Sequence, residues 1–251
     1  MTDPAELVDV RANTRLVARR EQLVLDTADG ERLVGELALP LTRPPQATLV
    51  CLHPLPTQGG SLDSHLFRKI AWRLPALADF AVLRFNTRGT DGSTGTFDDG
   101  YGERFDVGAA LEQVEFRDLP RPWLVGWSFG TELALRYGSD PTVVGAVLIS
   151  PPLKRAGDAD LDVWAASGKP LVAIVPEFDD FLRPAEARSR FARVPQARVI
   201  DVPGAKHLFV GMADVVLDLV TGAVSPDRVP LPRRVGPELV EKDGEQIDLA
   251  P

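Results

Sequence analysis

The amino-acid sequence predicts an α/β protein with one mostly parallel sheet of about eight strands and helices on both faces. Three observations favour this fold class. The chain of 251 residues is long enough for one large domain. Short apolar runs, typical of buried strands, alternate with segments of helical periodicity along most of the chain. The first two strand-like segments are joined by a turn signal, so the sheet is expected to open with an antiparallel hairpin.

The individual elements follow from local pattern. Residues 22–26 and 32–39 form the hairpin, with Asp29-Gly30 as its turn. Later apolar runs predict six further strands, at 47–52, 80–86, 122–127, 142–150, 169–176 and 197–203. Apolar residues three or four positions apart predict the helices between them, at 61–77, 103–116, 129–138, 184–194 and 207–220. This alternation is typical of βαβ units and a parallel sheet.

Composition divides the chain into three parts. Residues 1–21 are polar and weakly patterned, and we expect them to fray or to form a short helix. Residues 22–222 carry the regular alternation and form the predicted domain. Residues 223–251 are rich in proline and charge and poor in periodicity. They are interpreted as an extended or disordered tail, with packing on the body or on a neighbouring subunit as the alternative.

Charge and cysteine usage limit the possible partners. The net charge of −8 repels phosphate backbones and anionic head groups, so neither nucleic acid nor a membrane surface is an expected partner. The N-terminal residues lack the apolar core of a secretory signal, and no apolar stretch approaches the length of a membrane span. The single cysteine, Cys51, lies in an apolar run and is interpreted as a core residue. A cytoplasmic location is expected, and the oligomeric state stays open.

Ser128 stands between a predicted strand and a predicted helix, with Gly126 and Gly130 two positions away on either side. A strand that runs directly into a helix forces the turning residue into a strained conformation, and the glycines remove Cβ atoms that would collide. The turn lifts the hydroxyl above the carboxyl edge of the sheet, where ligands bind. Ser128 is therefore predicted as a nucleophile, with Trp127 lining the site. The alternatives are a serine without a task and a dinucleotide loop, which lacks its second glycine here.

A serine needs a base to take its proton and an acid to orient the base. Of the three histidines, only His207 follows Ser128 in the chain, as the order serine, acid, histidine requires. His207 is therefore the predicted base. His65 lies near the start of a predicted helix and is interpreted as structural or solvent-facing. His53 follows an early strand, and we expect it to shape a loop at the site rather than to act as a base.

The acid is expected in the loop that reads EFDDFLRP, after the strand at 169–176. Asp179 and Asp180 are both candidates, and Glu177 is a weaker third. The alternative interpretation is a solvated acidic loop. Only one of the two neighbouring aspartates is expected to reach His207, because adjacent loop residues point in different directions.

Two backbone N–H groups are needed to hold the negative charge that develops on a carbonyl oxygen under attack. One is predicted at Phe129, the residue after the nucleophile. The other is predicted at Leu55, because the prolines on either side of it, Pro54 and Pro56, have no N–H to donate.

Several motifs together resemble those of small bacterial α/β-hydrolases, whose hallmark loops read HPxPxxGG and RFNxRGxGxSxG. The matching segments are, in chain order, LHPLPTQGGSLDSHLFRKIAWRL, VLRFNTRGTDGSTG, GWSFGTELAL, LISPPL, PEFDDFLRP and PGAKHLFVG. The resemblance covers roughly residues 22–220 and implies an α/β-hydrolase fold. Leu55 stands where many relatives have a second histidine, and Asp91 replaces the second glycine of RGxGxS.

The resemblance also implies roles for residues. It makes Ser128 the nucleophile, His207 the base and Asp179 the acid. Pro176 stands where the family usually has glycine, so Asp180 stays open as the acid. Members of the family are mostly described as esterases or peptidase-like hydrolases.

The segment at 151–168 is where this superfamily usually inserts a lid, and it is too short for a large one. The site is therefore expected to be open and shallow, with Trp164 as a wall or else as a core residue. Arg88, in the polar glycine-rich loop after the strand at 80–86, is also predicted to line the site.

The expected function is a serine hydrolase that cleaves a small or medium carboxylic ester through an acyl-enzyme on Ser128. The partner is then a small acyl substrate, and neither a metal nor an organic cofactor is required. A thioesterase or a peptidase would use the same three residues. A non-catalytic ligand-binding protein on the same fold is the remaining alternative.

Overall fold

The structure, a computed structural model, describes residues 7–242. Its ten strands are β1 (Val8–Asp9), β2 (Arg19–Asp26), β3 (Arg32–Leu39), β4 (Ala47–Leu52), β5 (Phe80–Phe85), β6 (Pro122–Trp127), β7 (Gly145–Ile149), β8 (Leu171–Pro176), β9 (Ala197–Val202) and β10 (Arg234–Val235). Its six helices are α1 (His65–Ala78), α2 (Glu103–Phe116), α3 (Phe129–Tyr137), α4 (Asp158–Ser167), α5 (Pro184–Phe191) and α6 (Ala213–Val224). No helix within this part of the chain is long and apolar enough to cross a lipid bilayer.

Eight of the strands form one sheet, in the order β2-β3-β5-β4-β6-β7-β8-β9. β3 pairs antiparallel with both β2 and β5, and all other neighbours are parallel. The predicted eight-stranded, mostly parallel sheet with an N-terminal hairpin is thereby confirmed. β4 to β8 are buried along their whole length, which is why they read as continuous apolar runs rather than as alternating ones.

Helices cover both faces of the sheet. α1 and α6 pack on one face, and α2 to α5 pack on the other. The side chains of β6 alternate between the two faces. Trp123, Val125 and Trp127 pack in the layer of α1 and α6, and Leu124 packs in the layer of α2 to α5. Because β6 lies between β4 and β7, the residue at its carboxyl end emerges in the middle of the sheet edge.

One predicted helix starts later than the sequence pattern suggests. The prediction places its start at residue 207, whereas α6 starts at Ala213. Phe209 and Gly211 have φ angles of 50° and 79°, and a right-handed helix cannot pass through residues in this conformation. Successive turns replace the helix, and His207 consequently lies in a loop.

The segment between β7 and β8 holds α4, a helix to which the sequence analysis assigns no element. Its start is capped by Asp160, whose carboxylate accepts the N–H of Gly157 at 2.8 Å. Leu161 and Trp164 are its only buried residues, so its amphipathic pattern is weak. The chain therefore places a single helix here, packed in the core layer that also contains α3.

The two ends of the described chain meet. β1 pairs antiparallel with β10, with Val8 opposite Val235, and Leu16 bridges to Val240. Residues 7–18 are extended apart from one turn, where a short helix was one expectation. In the segment predicted as a tail, Leu231 and Val235 are buried against the body. Residues 1–6 and 243–251, the outer parts of the predicted terminal segments, lie outside the described residues.

Candidate active site

The turn between β6 and α3 holds Ser128 in a strained conformation, with φ 51° and ψ −115°. A Cβ atom on Gly130 would lie 1.8 Å from the carbonyl oxygen of Leu52, and one on Gly126 would lie 2.5 Å from the carbonyl oxygen of Gly130. Neither position tolerates a larger residue without moving backbone. The two glycines therefore allow α3 to pack directly against the end of β4, which a strand-to-helix turn without a loop requires.

Hydrogen bonds fix the strained turn on both sides. The Ser128 N–H donates to the carbonyl of Ile149 at 2.9 Å. The Ser128 carbonyl accepts from the backbone N–H of Thr131 at 2.9 Å and from its hydroxyl at 2.7 Å. Backbone strain of this kind costs on the order of 1–3 kcal/mol and persists only where surrounding contacts enforce it. The Ser128 hydroxyl is left half-buried at the carboxyl edge of the sheet.

A continuous chain of hydrogen bonds joins Ser128, His207 and Asp179. The Ser128 Oγ lies 2.8 Å from His207 Nε2, and His207 Nδ1 lies 2.9 Å from Asp179 Oδ2. A carboxylate only accepts hydrogen bonds, so Nδ1 carries the imidazole proton and Nε2 accepts from the serine hydroxyl. Three segments that are distant in sequence thus meet in an arrangement that can move a proton from the hydroxyl to the imidazole.

Of the two neighbouring aspartates, Asp179 is the one in contact with His207. Its side chain is buried, and its Oδ1 accepts the N–H groups of Phe181 at 2.8 Å and Leu182 at 3.3 Å. These bonds orient the carboxylate so that Oδ2 faces the imidazole. Asp180 is exposed and lies outside this chain of hydrogen bonds. Glu177 instead accepts the N–H of Gly204 at 2.7 Å, which ties together the loops that hold Asp179 and His207.

The backbone of the His207 loop is held by three side chains around the turn, none of which the sequence analysis assigns to this task. The Ser150 hydroxyl donates to the His207 carbonyl at 2.8 Å, and Trp127 Nε1 donates to the same oxygen at 3.4 Å. His65 Nε2 donates to the Leu208 carbonyl at 2.8 Å, and the imidazole packs edge-on against Trp127 at 5.1 Å. Ser150 follows β7 at the same sheet edge, which is the one sequence signal that could have identified it.

The loop after β4 is built around a buried, neutral histidine. His53 Nδ1 donates to the Pro54 carbonyl at 2.6 Å, and its Nε2 accepts the N–H of Thr87 at 3.0 Å. Complete burial lowers the pKa of His53 to about 4, so the imidazole stays uncharged at neutral pH. The Pro54 carbonyl belongs to the same planar peptide as the Leu55 N–H. The bond from His53 therefore fixes the direction of the Leu55 N–H.

Two backbone N–H groups near the turn are unused. Within residues 7–242, neither the Leu55 N–H nor the Phe129 N–H donates a hydrogen bond. Phe129 is the first residue of α3, where backbone donors have no partner within the helix. Gly60 completes the other loop, because its N–H donates to the Leu55 carbonyl and a Cβ on it would lie 2.1 Å from the Pro54 oxygen.

Two residues that the sequence analysis places at the site lie elsewhere. The guanidinium of Arg88 is held by Asp106 at 2.8 Å and by Asp29 at 2.9 Å, in a mostly buried ion-pair network. Trp164 is completely buried in the core, and its Nε1 donates to the carbonyl of Leu135 at 3.1 Å. Both side chains stabilise the body, Arg88 by pairing charge and Trp164 by packing α4 beside α3.

The surface around His207 is open and apolar. Phe178 and Phe181 belong to the loop that holds Asp179, and Leu208 and Val210 belong to the loop that holds His207. Their exposed fractions are 45%, 43%, 51% and 79%, respectively. The Phe181 ring packs against the His207 imidazole with 4.6 Å between ring centroids. Among the described residues, no group of three or more His, Cys, Asp or Glu side chains is arranged to hold a metal ion.

Comparison with known proteins gives this geometry a context. Residues 49–244 match the family described as the alpha/beta hydrolase family. An uncharacterized protein of Rickettsia prowazekii is 31% identical over 127 residues, which are 49% of this chain and 53% of that protein. The match therefore spans about half the length of that curated relative.

Solved structures match a larger share of the chain. A serine hydrolase without a lid from Xanthomonas campestris superposes with a TM-score of 0.72 at 26% identity, covering 85% of this chain and 97% of that one. A serine hydrolase homologue from Coxiella burnetii gives 0.71 at 23% identity, with 82% and 97% covered. An esterase from Pyrococcus furiosus gives 0.71 at 17% identity, with 84% and 91% covered, and the likenesses to these last two structures, both below 25% identity, concern the fold alone.

Proposed function

The chain belongs to the alpha/beta hydrolase family, and on that basis we propose that it is a serine hydrolase of small or medium carboxylic esters. The observation that carries the proposal is the hydrogen-bonded series Ser128, His207 and Asp179, with distances of 2.8 and 2.9 Å. A base in hydrogen-bond contact with a nucleophile, and an acid in contact with the base, is the geometry that activates a serine.

The reaction begins with proton transfer. His207 Nε2 takes the hydroxyl proton as Ser128 Oγ attacks the ester carbonyl carbon, and an acyl-enzyme forms when the alcohol leaves with the proton that Nε2 returns. Water, deprotonated by the same nitrogen, then releases the acid. Asp179 stays ionised throughout, accepts the Nδ1–H and stabilises the imidazolium that forms.

The negative charge on the carbonyl oxygen needs donors that are in place before the reaction. The unused N–H groups of Leu55 and Phe129 are assigned this task. The bond from His53 to the Pro54 carbonyl supports the assignment, because it fixes the peptide that carries the Leu55 N–H. The N-terminus of α3 adds partial positive charge at the same place.

The open surface around His207 supports a preference for small or medium esters. Only α4 lies between β7 and β8, so the chain has no separate lid there that would enclose a long acyl group. The exposed side chains of Phe178, Phe181, Leu208 and Val210 offer apolar contact without depth. A thioester would be attacked by the same groups, and a substrate panel separates the two activities.

Fluorophosphonate labelling tests the proposal, since the probe reacts with an activated serine and not with an idle one. We expect labelling at Ser128, with turnover of p-nitrophenyl esters and of matched thioesters measured in parallel. Ser128→Ala is expected to abolish labelling and to lower kcat by roughly 10³- to 10⁶-fold. Ser189→Ala, at an exposed serine of α5, is the matched control and is expected to behave as wild type.

Two outcomes would contradict the proposal. Labelling that persists in Ser128→Ala would place the reactive serine elsewhere. A folded wild-type protein that is neither labelled nor active on any ester or thioester would favour a non-catalytic ligand-binding protein on this fold.

A further inference from the structure

The segment between β7 and α4 is anchored to the helix that follows Ser128. Glu132, a completely buried residue of α3, accepts the backbone N–H groups of Lys154 at 2.7 Å, Arg155 at 3.1 Å and Ala156 at 2.5 Å. Hydrogen bonds to an ionised carboxylate are about twice as strong as neutral ones. The backbone of Lys154 is therefore fixed relative to the turn that presents the serine.

The side chain of Lys154 points toward the site. Its Nζ lies 4.1 Å from the centroid of the Phe181 ring, within the range of a cation–π contact. The same ring packs against His207 with 4.6 Å between centroids. The ammonium group and the proposed base thus contact the same aromatic ring.

The charge of Lys154 is not neutralised by the protein. Within residues 7–242, every ion pair that a lysine or arginine forms with a carboxylate uses an arginine, and Lys154 has no carboxylate within 4.0 Å. Its neighbour Arg155 is paired with Asp99. In a chain with a net charge of −8, Lys154 thus presents an exposed, unpaired ammonium group on the same ring that contacts His207, and this position makes it a recognition feature.

We propose that Lys154 is a specificity-determining residue that binds the anionic end of an ester substrate. This inference rests on the proposed function. The substrate class is an ester whose acyl chain ends in a free carboxylate, such as a monoester of a dicarboxylic acid. The methylene groups of that chain lie along the exposed Phe181 ring while the carboxylate reaches the ammonium. An exposed pair of this kind contributes modestly, so the preference is a few-fold rather than absolute.

The test compares two substrates with acyl chains of equal length, p-nitrophenyl hemiglutarate and p-nitrophenyl pentanoate. The measured quantity is the ratio of their kcat/KM values, which cancels any loss of folded protein. In Lys154→Gln we expect the ratio of anionic to neutral ester to fall about three- to fivefold. Lys154→Arg keeps the charge and is expected to retain most of the ratio. The difference between wild type and Lys154→Gln should shrink between about 50 mM and 500 mM NaCl, because salt screens an exposed pair.

Lys169→Gln provides a control for loss of positive charge, because Lys169 precedes β8 and so lies at the opposite edge of the sheet from Ser128. It should leave the ratio unchanged. The inference is overturned if the kcat/KM ratio of anionic to neutral ester does not change in Lys154→Gln, or if it changes equally in Lys169→Gln. In either case the proposed function still stands, provided that Ser128 is labelled and the protein is active. A protein that is neither labelled nor active on either ester overturns both.

Discussion

The turn that holds Ser128 and the surface around His207 differ sharply in how far their neighbours restrict them. At the turn, a single added Cβ on Gly130 would lie 1.8 Å from a backbone oxygen. At the surface, Val210 is 79% exposed, and Leu208 and Phe178 are about half exposed. The same site therefore combines a backbone that permits almost no substitution with side chains that contact little but solvent.

This difference separates two tasks. The groups proposed to do the chemistry are fixed by backbone contacts and buried hydrogen bonds, which pre-organise them at no further cost during the reaction. The groups positioned to contact the remainder of a substrate are attached to loops and can change without disturbing the first set. We expect substitutions in the first region to lower turnover or stability severely, and substitutions in the second to alter preference among substrates.

The largest expected effect concerns the buried acid. Asp179→Asn keeps the size of the side chain and removes the charge that holds the His207 tautomer, so kcat is expected to fall by about 10³- to 10⁴-fold. Asp180→Asn, one position along the same loop, is expected to stay within about threefold of wild type. Steady-state kinetics on a p-nitrophenyl ester measure both. The reverse order of effects would identify Asp180 as the acid.

The next largest effect is expected on stability, from adding a side chain at Gly130. Gly130→Ala forces a Cβ against the Leu52 carbonyl, and the free energy of unfolding should fall by about 3 kcal/mol or more. Gly108→Ala is the matched control, since it lies inside α2 with no atom within 4 Å of an added Cβ. That variant should gain about 0.5–1 kcal/mol. Urea denaturation measures both, and equal effects would show that the contact at Gly130 relaxes.

His53 makes the fixed region sensitive to acid. Its pKa is about 4 in the folded protein and 6.5 when unperturbed, so the unfolded chain binds a proton first as the pH falls. The neutral imidazole contributes about 3 kcal/mol to the free energy of unfolding. This contribution is complete above pH 6.5 and is lost as the pH falls toward 4. His53→Gln should lack this part of the pH dependence, whereas His65→Gln should keep most of it.

Denaturation curves between pH 7 and 4 measure this effect as the difference in unfolding free energy between wild type and variant. The difference should narrow as the pH falls. A constant difference would mean that His53 does not carry the expected titration.

The smallest effect is expected on the exposed surface. Val210→Ser should change the free energy of unfolding by no more than about 0.5 kcal/mol, because the side chain makes few contacts. Its kcat on a short ester should stay within about twofold of wild type, with any change confined to KM for longer acyl chains. A tenfold loss of kcat would show that this loop is as restricted as the turn at Ser128.

The features that could be predicted from sequence are those whose causes are local. The strand, Ser128 and the helix after it follow one another without a gap, and the clash that Gly126 avoids, with the carbonyl of Gly130, arises within the same turn. Five of the eight strands, β4 to β8, were readable because they are buried on both faces and so form unbroken apolar runs. The proposed base could be selected from three histidines by chain order alone.

The features that sequence could not supply depend on contacts between distant residues. Arg88 belongs to a loop at the right edge of the sheet, but Asp29 and Asp106 hold its guanidinium away from the site. The distinction between Asp179 and Asp180 depends on the loop N–H groups of Phe181 and Leu182, which orient only one carboxylate. The apolar pattern after His207 is helical, and the positive φ angles that interrupt it have only Gly211 as a sequence signal.

The antiparallel pairing of β1 with β10 has a consequence for how the molecule is made. Val8 is synthesised long before Val235, yet each is the other's partner. The eight-stranded sheet can close while synthesis continues, since its own pairings are shorter in sequence, but β1 must wait for β10. During translation the nascent chain therefore carries β1 without its strand partner, and a chain truncated before residue 234 never forms this pair.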